Sequence, residues 1–326
     1  MQKIFKFESD GIRVDKAIAD VLADYSRSEI ARWIKEKRVT VDGKYVKVSA
    51  LSEAGKTVEI DIPNEVEYFP KAEELPLDII YEDEDIIVIN KAKGMVVHPG
   101  VGNRSGTLVN ALIHHTQGKL SDTNGSDRLG IVHRLDKNTS GLIVTAKNSM
   151  AHIDLQEQFK QREVSKIYQA IVHGSFIETS GKIVAPIARD KNNRQKMAVD
   201  SDGREAVSYF RVLAPLEKAT YLEVKLITGR THQIRVHMAY INHPLLGDNI
   251  YGIRKNKYKE DGQYLHASKL EFTHPRTKEW LSFEVEPPQD FAELLDDLSY
   301  LEENKLEWSE EWNLGAIDDQ EIKTSL

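Results

Sequence analysis

Residues 130–147 read GIVHRLDKNTSGLIVTAK. An apolar strand around Ile131 runs into a polar loop, and a second apolar strand, 142–147, leaves it. A loop gripped by strands at both ends displays the side chains it carries. This one carries Asp136, with His133 and Arg134 before it and Lys137 after it, a setting of positive charge that favours the carboxylate form. Such a carboxylate can act as nucleophile or base, although an Asp between two strands also reads as a turn residue. Thr139, Ser140 and Gly141 add turn chemistry and backbone donors able to fix the loop.

Outward from this stretch, strand patterns recur at 166–173, 206–213 and 221–228, and helical spacing at 108–115, 149–162 and 231–241. Upstream, apolar strands flank an acidic turn at 82–85. The order predicts an α+β domain over 77–297: a mixed, largely antiparallel sheet with flanking helices. A smaller α/β domain precedes it at 11–62. There Val14, Ile18, Val21 and Leu22 keep helical period, Ser26 to Glu29 reads as a capping box for a second helix, and Asp42-Gly43 suits a type I′ hairpin turn. Residues 63–76, rich in Pro and Glu, read as a linker, and 298–326 as an acidic tail forming a surface helix or partly disordered.

The composition narrows the chemistry. The chain has 326 residues, 40% hydrophobic and 29% charged, and no cysteine, which excludes disulfides, thiolate metal sites and thiol nucleophiles. No run is long and apolar enough for a membrane span and no signal peptide is visible, so a cytoplasmic location is expected. The net charge of -8 argues against a nucleic-acid partner only until its distribution is read. Residues 281–326 hold fourteen Asp and Glu against two Lys, which leaves the first 280 residues with +4. Arg27, Arg32, Lys35 and Arg38, with Lys37, Lys44 and Lys47, predict a continuous basic surface on the small domain; a solvated helix face is the plainer reading.

Two further stretches carry candidate chemistry. Ser165-Lys166-Ile167-Tyr168-Gln169-Ala170 places a tyrosine on an apolar strand, where it either packs or offers a ring for stacking and a hydroxyl for proton transfer. Residues 228–237, TGRTHQIRVH, turn through Gly229 into a helix that Thr231 could cap. Ile234, Met238 and Ile241 form its apolar face, leaving Arg235 and His237 to contact loops or RNA. His232 and His237 stand about 140° apart on such a helix, without a third ligand at matching spacing, so no metal site is expected.

HRLDKNTSGLIV, with K-x-Y-x-A at 166–170 and GRTHQIR at 229–235, closely resembles the signatures of the RNA pseudouridine synthases, in the branch that modifies ribosomal and transfer RNA. The resemblance covers residues 77–287. Asn138 departs from it where Asp is common, as does Ala92 where proline is usual. SRSEIARWIKEKRVTVDGKYV is similar to the S4 RNA-binding domain. The resemblance implies Asp136 as the catalytic aspartate, Tyr168 as a ring against the uracil, and Arg230 as the cation paired with Asp136. It implies that His133, Leu135 and Arg235 belong to the substrate site with Arg134, which either fills the space vacated by an extruded uridine or pairs with Asp136 as a counter-ion. Structured RNA is the implied partner, large-subunit ribosomal RNA first and transfer RNA second. No cofactor, metal or protein partner is implied. A noncatalytic RNA-binding assembly factor would need only the S4-like domain; a glycosidic hydrolase would normally need a second carboxylate beside Asp136.

Overall fold

The computed structural model describes residues 2–22, 25, 27–62, 69–100, 102–125, 128–193, 196–253, 262–298, 312 and 314. The chain divides into two compact units, residues 1–68 and 69–326.

In the first unit, strand β1 (Gln2–Lys6) is followed by helices α1 (Val14–Val21) and α2 (Arg27–Lys35), then by β2 (Val39–Val41), β3 (Lys44–Tyr45) and β4 (Thr57–Asp61). The antiparallel sheet runs β1-β4-β2-β3. Ile30, Trp33 and Ile34 recur at i, i+3 and i+4 on α2, so one face of the helix is buried against Val14, Ile18, Val39, Val58 and Ile60. Asp42 and Gly43 both take positive φ, 47° and 74°, as the expected hairpin turn demands. The expected capping residue Ser26 lies outside the described residues.

The basic surface differs from expectation. Arg27 and Arg13 both bind the nearly buried carboxylate of Asp15, at 2.7 and 3.0 Å. Arg38 pairs with Asp61 at 2.8 Å and Glu36 at 3.3 Å, and Arg32 stands 4.0 Å from Glu36. The surface is therefore interrupted by carboxylates, of which Asp15 and Asp61 reach it only through folding. Lys35 stays exposed.

The second unit is built on a nine-stranded sheet. Its elements are β5 (Asp78–Glu82), β6 (Ile86–Lys91), α3 (Leu108–His115), β7 (Ser140–Ala146), α4 (Ser149–Gln161), β8 (Ser165–His173), β9 (Ser180–Val184), a separate β10 (Ile187–Arg189) and β11 (Met197–Val199) pair, β12 (Val207–Leu216), β13 (Ala219–Leu226), α5 (Gln233–Tyr240), β14 (Leu265–Thr273), β15 (Trp280–Glu284) and α6 (Gln289–Asp297). The order is β5-β6-β7-β14-β8-β13-β12-β9, with β15 also on β14; β7 and β14 pair in parallel and the other strands pair antiparallel. The mixed, largely antiparallel sheet of the sequence reading is thus present. Ile131 makes only an isolated bridge to Thr145, not a strand.

Alternation along β6 and β7 builds a core on each face of the sheet. Ile87, Ile89 and Ile143 face α3 and α5, whereas Ile86, Val88, Leu142 and Val144 face α4. Both strands are covered on both sides, which is why they read as unbroken apolar runs. At the acidic turn, Arg276 binds both oxygens of Asp85 at 2.6 Å and holds that carboxyl down at about 2. Most of the acidic tail reading lies outside the described residues; Trp312 and Leu314 pack against Val207 and Tyr209, with the Arg211 guanidinium 4.6 Å from the Trp312 ring centre. Among the described residues no helix is long and apolar enough to cross a membrane.

Candidate active site

The loop between Ile131 and β7 is tied at several points. Thr139 N–H donates to the Asp136 carbonyl at 3.1 Å, and Gly94 N–H to the Lys137 carbonyl at 2.9 Å. The Lys91 ammonium, buried at the end of β6, donates to the carbonyls of Ala92, Met95 and Lys137 at 2.8, 2.9 and 3.3 Å. Burial pushes Lys91 down to about 7, while three accepting carbonyls favour the form that has three N–H bonds to give. Beyond the loop, Ser140 bonds to His266 Nδ1 at 2.9 Å. Gly141 has φ +108°, and a Cβ there would lie 2.2 Å from the Ala267 carbonyl oxygen, so only glycine lets β7 meet β14 at this point.

The loop delivers Asp136 to the junction of two adjoining cavities. The smaller, about 60 Å³, is floored by Leu135, Leu226, Ile234 and Leu265. The larger, about 310 Å³, is bounded by His133, Phe159, Lys166, Gly229 and Thr231. Arg134, Asp136, Tyr168 and Arg230 line both.

Asp136 is held by Arg235, not by Arg230 as the sequence reading had it. Arg235 Nη1 donates to Asp136 Oδ2 at 3.1 Å. Its Nε and Nη2 donate to Asp248 Oδ2 and Oδ1 at 2.7 and 3.0 Å, and its guanidinium lies 5.1 Å from the centre of the Tyr251 ring. Asp248 also accepts the backbone N–H groups of Ile250 and Tyr251 at 2.8 and 3.0 Å. Despite complete burial, these donors, Arg235 first, hold its carboxyl below the usual range. Buried and engaged on two carboxylates, the Arg235 guanidinium is fixed in place. Arg230 lies at the cavity wall with Nε on the Glu205 carbonyl at 2.9 Å.

The start of α5 explains the exchange. Thr231 does not cap it. His232 occupies that position with φ +58°, and Gln233 folds back to accept from Thr228 Oγ1 at 2.8 Å and Arg230 N–H at 2.9 Å. The helix therefore begins later than expected, and Arg235 and His237 point inward. The expectation that they are free for RNA is corrected for both. His237 Nε2 donates to the Ala185 carbonyl at 3.0 Å and Nδ1 accepts from Ser208 at 2.9 Å; burial pushes it down to about 4, so it is neutral. His232 Nε2 stands 3.8 Å from Asp136 Oδ1, and its Nδ1 is 2.8 Å from the Tyr251 hydroxyl.

Tyr168 projects from β8 with 8% exposure. Burial, and then the charge of Asp136, push its hydroxyl well above the ordinary tyrosine value, so it stays protonated at neutral pH. His133 stacks on Phe159 at 4.6 Å and accepts the Val144 N–H at 3.0 Å; burial takes it to about 3, making it a neutral prop for β7. Leu135 is core. Arg134 is exposed and makes no hydrogen bond or ion pair among the described residues, which removes the counter-ion reading.

The sequence reading missed Asp248, Tyr251 and Lys91. Asp248 lies 112 positions from Asp136 in a Leu-Gly-Asp-Asn turn, where an Asp carries no signal beyond turn preference. Lys166, quoted only as part of a motif, stands on the cavity wall beside Tyr168.

A family model described as RNA pseudouridylate synthase matches residues 85–240, and an S4 domain model matches 12–55. A Bacillus subtilis (strain 168) protein named as an uncharacterized RNA pseudouridine synthase is 47% identical over 291 residues, covering 89% of this chain and 95% of the relative. The ribosomal large subunit pseudouridine synthase D of Pseudomonas aeruginosa is 44% identical over 301 residues, covering 89% and 92%. Among solved structures, human RNA pseudouridylate synthase domain containing 1 matches with a TM-score of 0.58 at 26% identity, over 79% of this chain and 97% of that one. With nearly its whole length aligned to such relatives, the chain belongs to the RNA pseudouridylate synthase family, enzymes that isomerise uridine within RNA.

Proposed function

We propose that the protein converts a specific uridine of large-subunit ribosomal RNA to pseudouridine, with Asp136 acting directly on the nucleotide. In this isomerisation the N1–C1′ bond breaks, the uracil turns, a C5–C1′ bond forms, and the proton at C5 is lost as N1 gains one; no external reactant enters. Asp136 attacks the nucleotide or removes a proton from it. Tyr168 stacks on the detached uracil and keeps it in the pocket, and its protonated hydroxyl is available near C5. Arg235 holds one carboxylate oxygen of Asp136 and leaves the other without a hydrogen bond among the described residues.

One observation carries this reading: a single carboxylate, pre-oriented by a locked guanidinium, stands at the junction of two cavities beside a buried tyrosine. A hydrolase of the usual kind would need a second carboxylate here, and among the described residues no other lines either cavity. Arg134, unpaired at the mouth, is suited to fill the space that a flipped uridine leaves. Residues 11–62 act as the RNA-docking domain, reading shape and phosphates, and 77–297 as the catalytic domain. The name of the Pseudomonas relative supports the ribosomal target.

Incubating wild type and Asp136→Asn with protein-free ribosomal and transfer RNA, then mapping pseudouridine by chemical labelling and reverse transcription, tests the whole reading. Conversion of defined large-subunit uridines by wild type alone is expected. Conversion of transfer RNA instead would move the substrate; RNA binding without conversion on any RNA or ribosomal particle would leave a binding factor.

A further inference from the structure

Lys166 is a cation that the proposed chemistry leaves without a task. It is 9% exposed and makes no hydrogen bond or ion pair among the described residues. The centre of the Phe159 ring lies 5.6 Å from Lys166 Nζ. An unpaired buried charge is costly, so a chain that keeps one needs a partner for it that comes from outside. The ammonium opens onto the larger cavity, whose wall holds Arg134, Lys166 and Arg230 against the single carboxylate of Asp136. His133, close by, is neutral. Two net positive charges in a space of about 310 Å³ select an anion.

Two further observations fix what kind of anion. Lys166 and Tyr168 are i and i+2 on β8, so they project from the same face about 7 Å apart. That separation is on the scale of one nucleotide, base to phosphate. Gly229 lines the same cavity beside Lys166, and a Cβ added there would lie 4.0 Å from Nζ. Burial lowers Lys166 to about 8, which leaves it mainly charged at neutral pH and able to gain from an incoming negative charge.

We infer that Lys166 binds a phosphodiester flanking the target uridine, anchoring the strand at one end of the cavity while the uracil lies against Tyr168. The inference rests on the reading of the site as one that acts on a uridine. Lys166 touches the backbone of the substrate and takes no part in the bond changes at C1′.

The test uses the full-length enzyme and a stem-loop RNA carrying the uridine mapped as above, in which each phosphate near that uridine is replaced in turn by a neutral methylphosphonate. For wild type, KM is expected to rise about tenfold at one position, the size of one charge-assisted contact. Lys166→Met should start with a KM about tenfold above wild type, keep its kcat, and be indifferent to methylphosphonate at that same position. Lys166→Arg should restore both KM and the sensitivity. Thermal unfolding separates this from a structural role, since removing an unpaired buried cation should leave Tm equal or higher. An unchanged KM in Lys166→Met overturns the inference, as does a methylphosphonate penalty that remains in full at every position, or a loss confined to kcat. If wild type forms no pseudouridine in the unsubstituted RNA, the isomerase reading falls first and takes this one with it.

Discussion

Arg235 gives one nitrogen to Asp136 at 3.1 Å while two others are committed to Asp248 at 2.7 and 3.0 Å. The buried Asp248 thus fixes the guanidinium, and the guanidinium fixes the carboxylate at the cavity junction. Both links are charge-assisted, and the one to Asp248 is fully buried, the condition under which such a pair holds geometry best.

The two carboxylates should therefore separate on mutation. Asp248→Asn breaks a fully buried pair and should cost about 3–5 kcal/mol of stability, with kcat falling roughly 100-fold because Asp136 loses its orientation. Asp136→Asn should abolish turnover yet change stability by less than about 1 kcal/mol, since Arg235 keeps Asp248. Urea unfolding and single-turnover assays on both variants measure this. Equal stability losses would mean that the two ends of the bridge are not distinct in role.

Gly141 joins the fold to the site. It is the second residue of β7, where the parallel pairing with β14 forms, and it is five residues after Asp136. Gly141→Ala places a methyl 2.2 Å from the Ala267 carbonyl oxygen at φ +108° and should cost at least about 3 kcal/mol. Any folded fraction should turn over more slowly, because strain at the bridge is relieved by moving the Asp136 loop. A variant with wild-type Tm and kcat would show that β7 and β14 can part without disturbing the loop.

Acid should unfold the protein through histidines that fold neutral. His237 and His266 are pushed down to about 4 by burial, and each uses both ring nitrogens on neutral partners. In the unfolded chain both titrate near the ordinary value of about 6.5. Between pH 6.5 and 4 the unfolded chain binds protons that the folded chain refuses, so stability is complete above pH 6.5 and is lost as pH falls toward 4. The loss should be about 3 kcal/mol per histidine. His237→Gln, whose amide can serve Ala185 and Ser208 in place of the ring, should flatten the fall of urea stability across this window. An unchanged slope would assign the acid sensitivity elsewhere.

The limits of the sequence reading have physical causes in this fold. The Asp136 loop was legible because the apolar residues before it, the loop and β7 are contiguous and the signal is local, even though the first of these forms only a bridge at Ile131. The partner of Asp136 was not. Arg230 and Arg235 lie in one motif, and choosing between them needed the left-handed His232 that delays α5, together with Asp248 in a distant turn. β14 escaped because His266, Ser268, Lys269 and Glu271 break its apolar pattern, although it lies between β7 and β8. Its buried polar groups are satisfied across strands, His266 by Ser140 and Ser268 by the Ile167 carbonyl, and such pairing has no one-dimensional trace. The basic face of the small unit was overread for the same reason: Asp15 and Asp61 reach it only through folding.

Under the proposed function Arg134 serves the substrate and not the stability of the fold, and the two roles predict different outcomes. It is exposed, has no hydrogen bond or ion pair among the described residues, and lines both cavities. Arg134→Ala should leave Tm within about one degree, because exposed side chains without partners contribute little to folding. Its KM for the RNA should rise about tenfold or more if the guanidinium fills the space left by the extruded uridine. The penalty should shrink on a substrate whose target uridine is already unpaired and unstacked, since there is less vacated stacking to replace. Steady-state kinetics on a stem-loop and on the same sequence as an open single strand measure the difference. A penalty of equal size on both RNAs would make Arg134 a phosphate contact, and the replacement of the flipped base would then fall to another group.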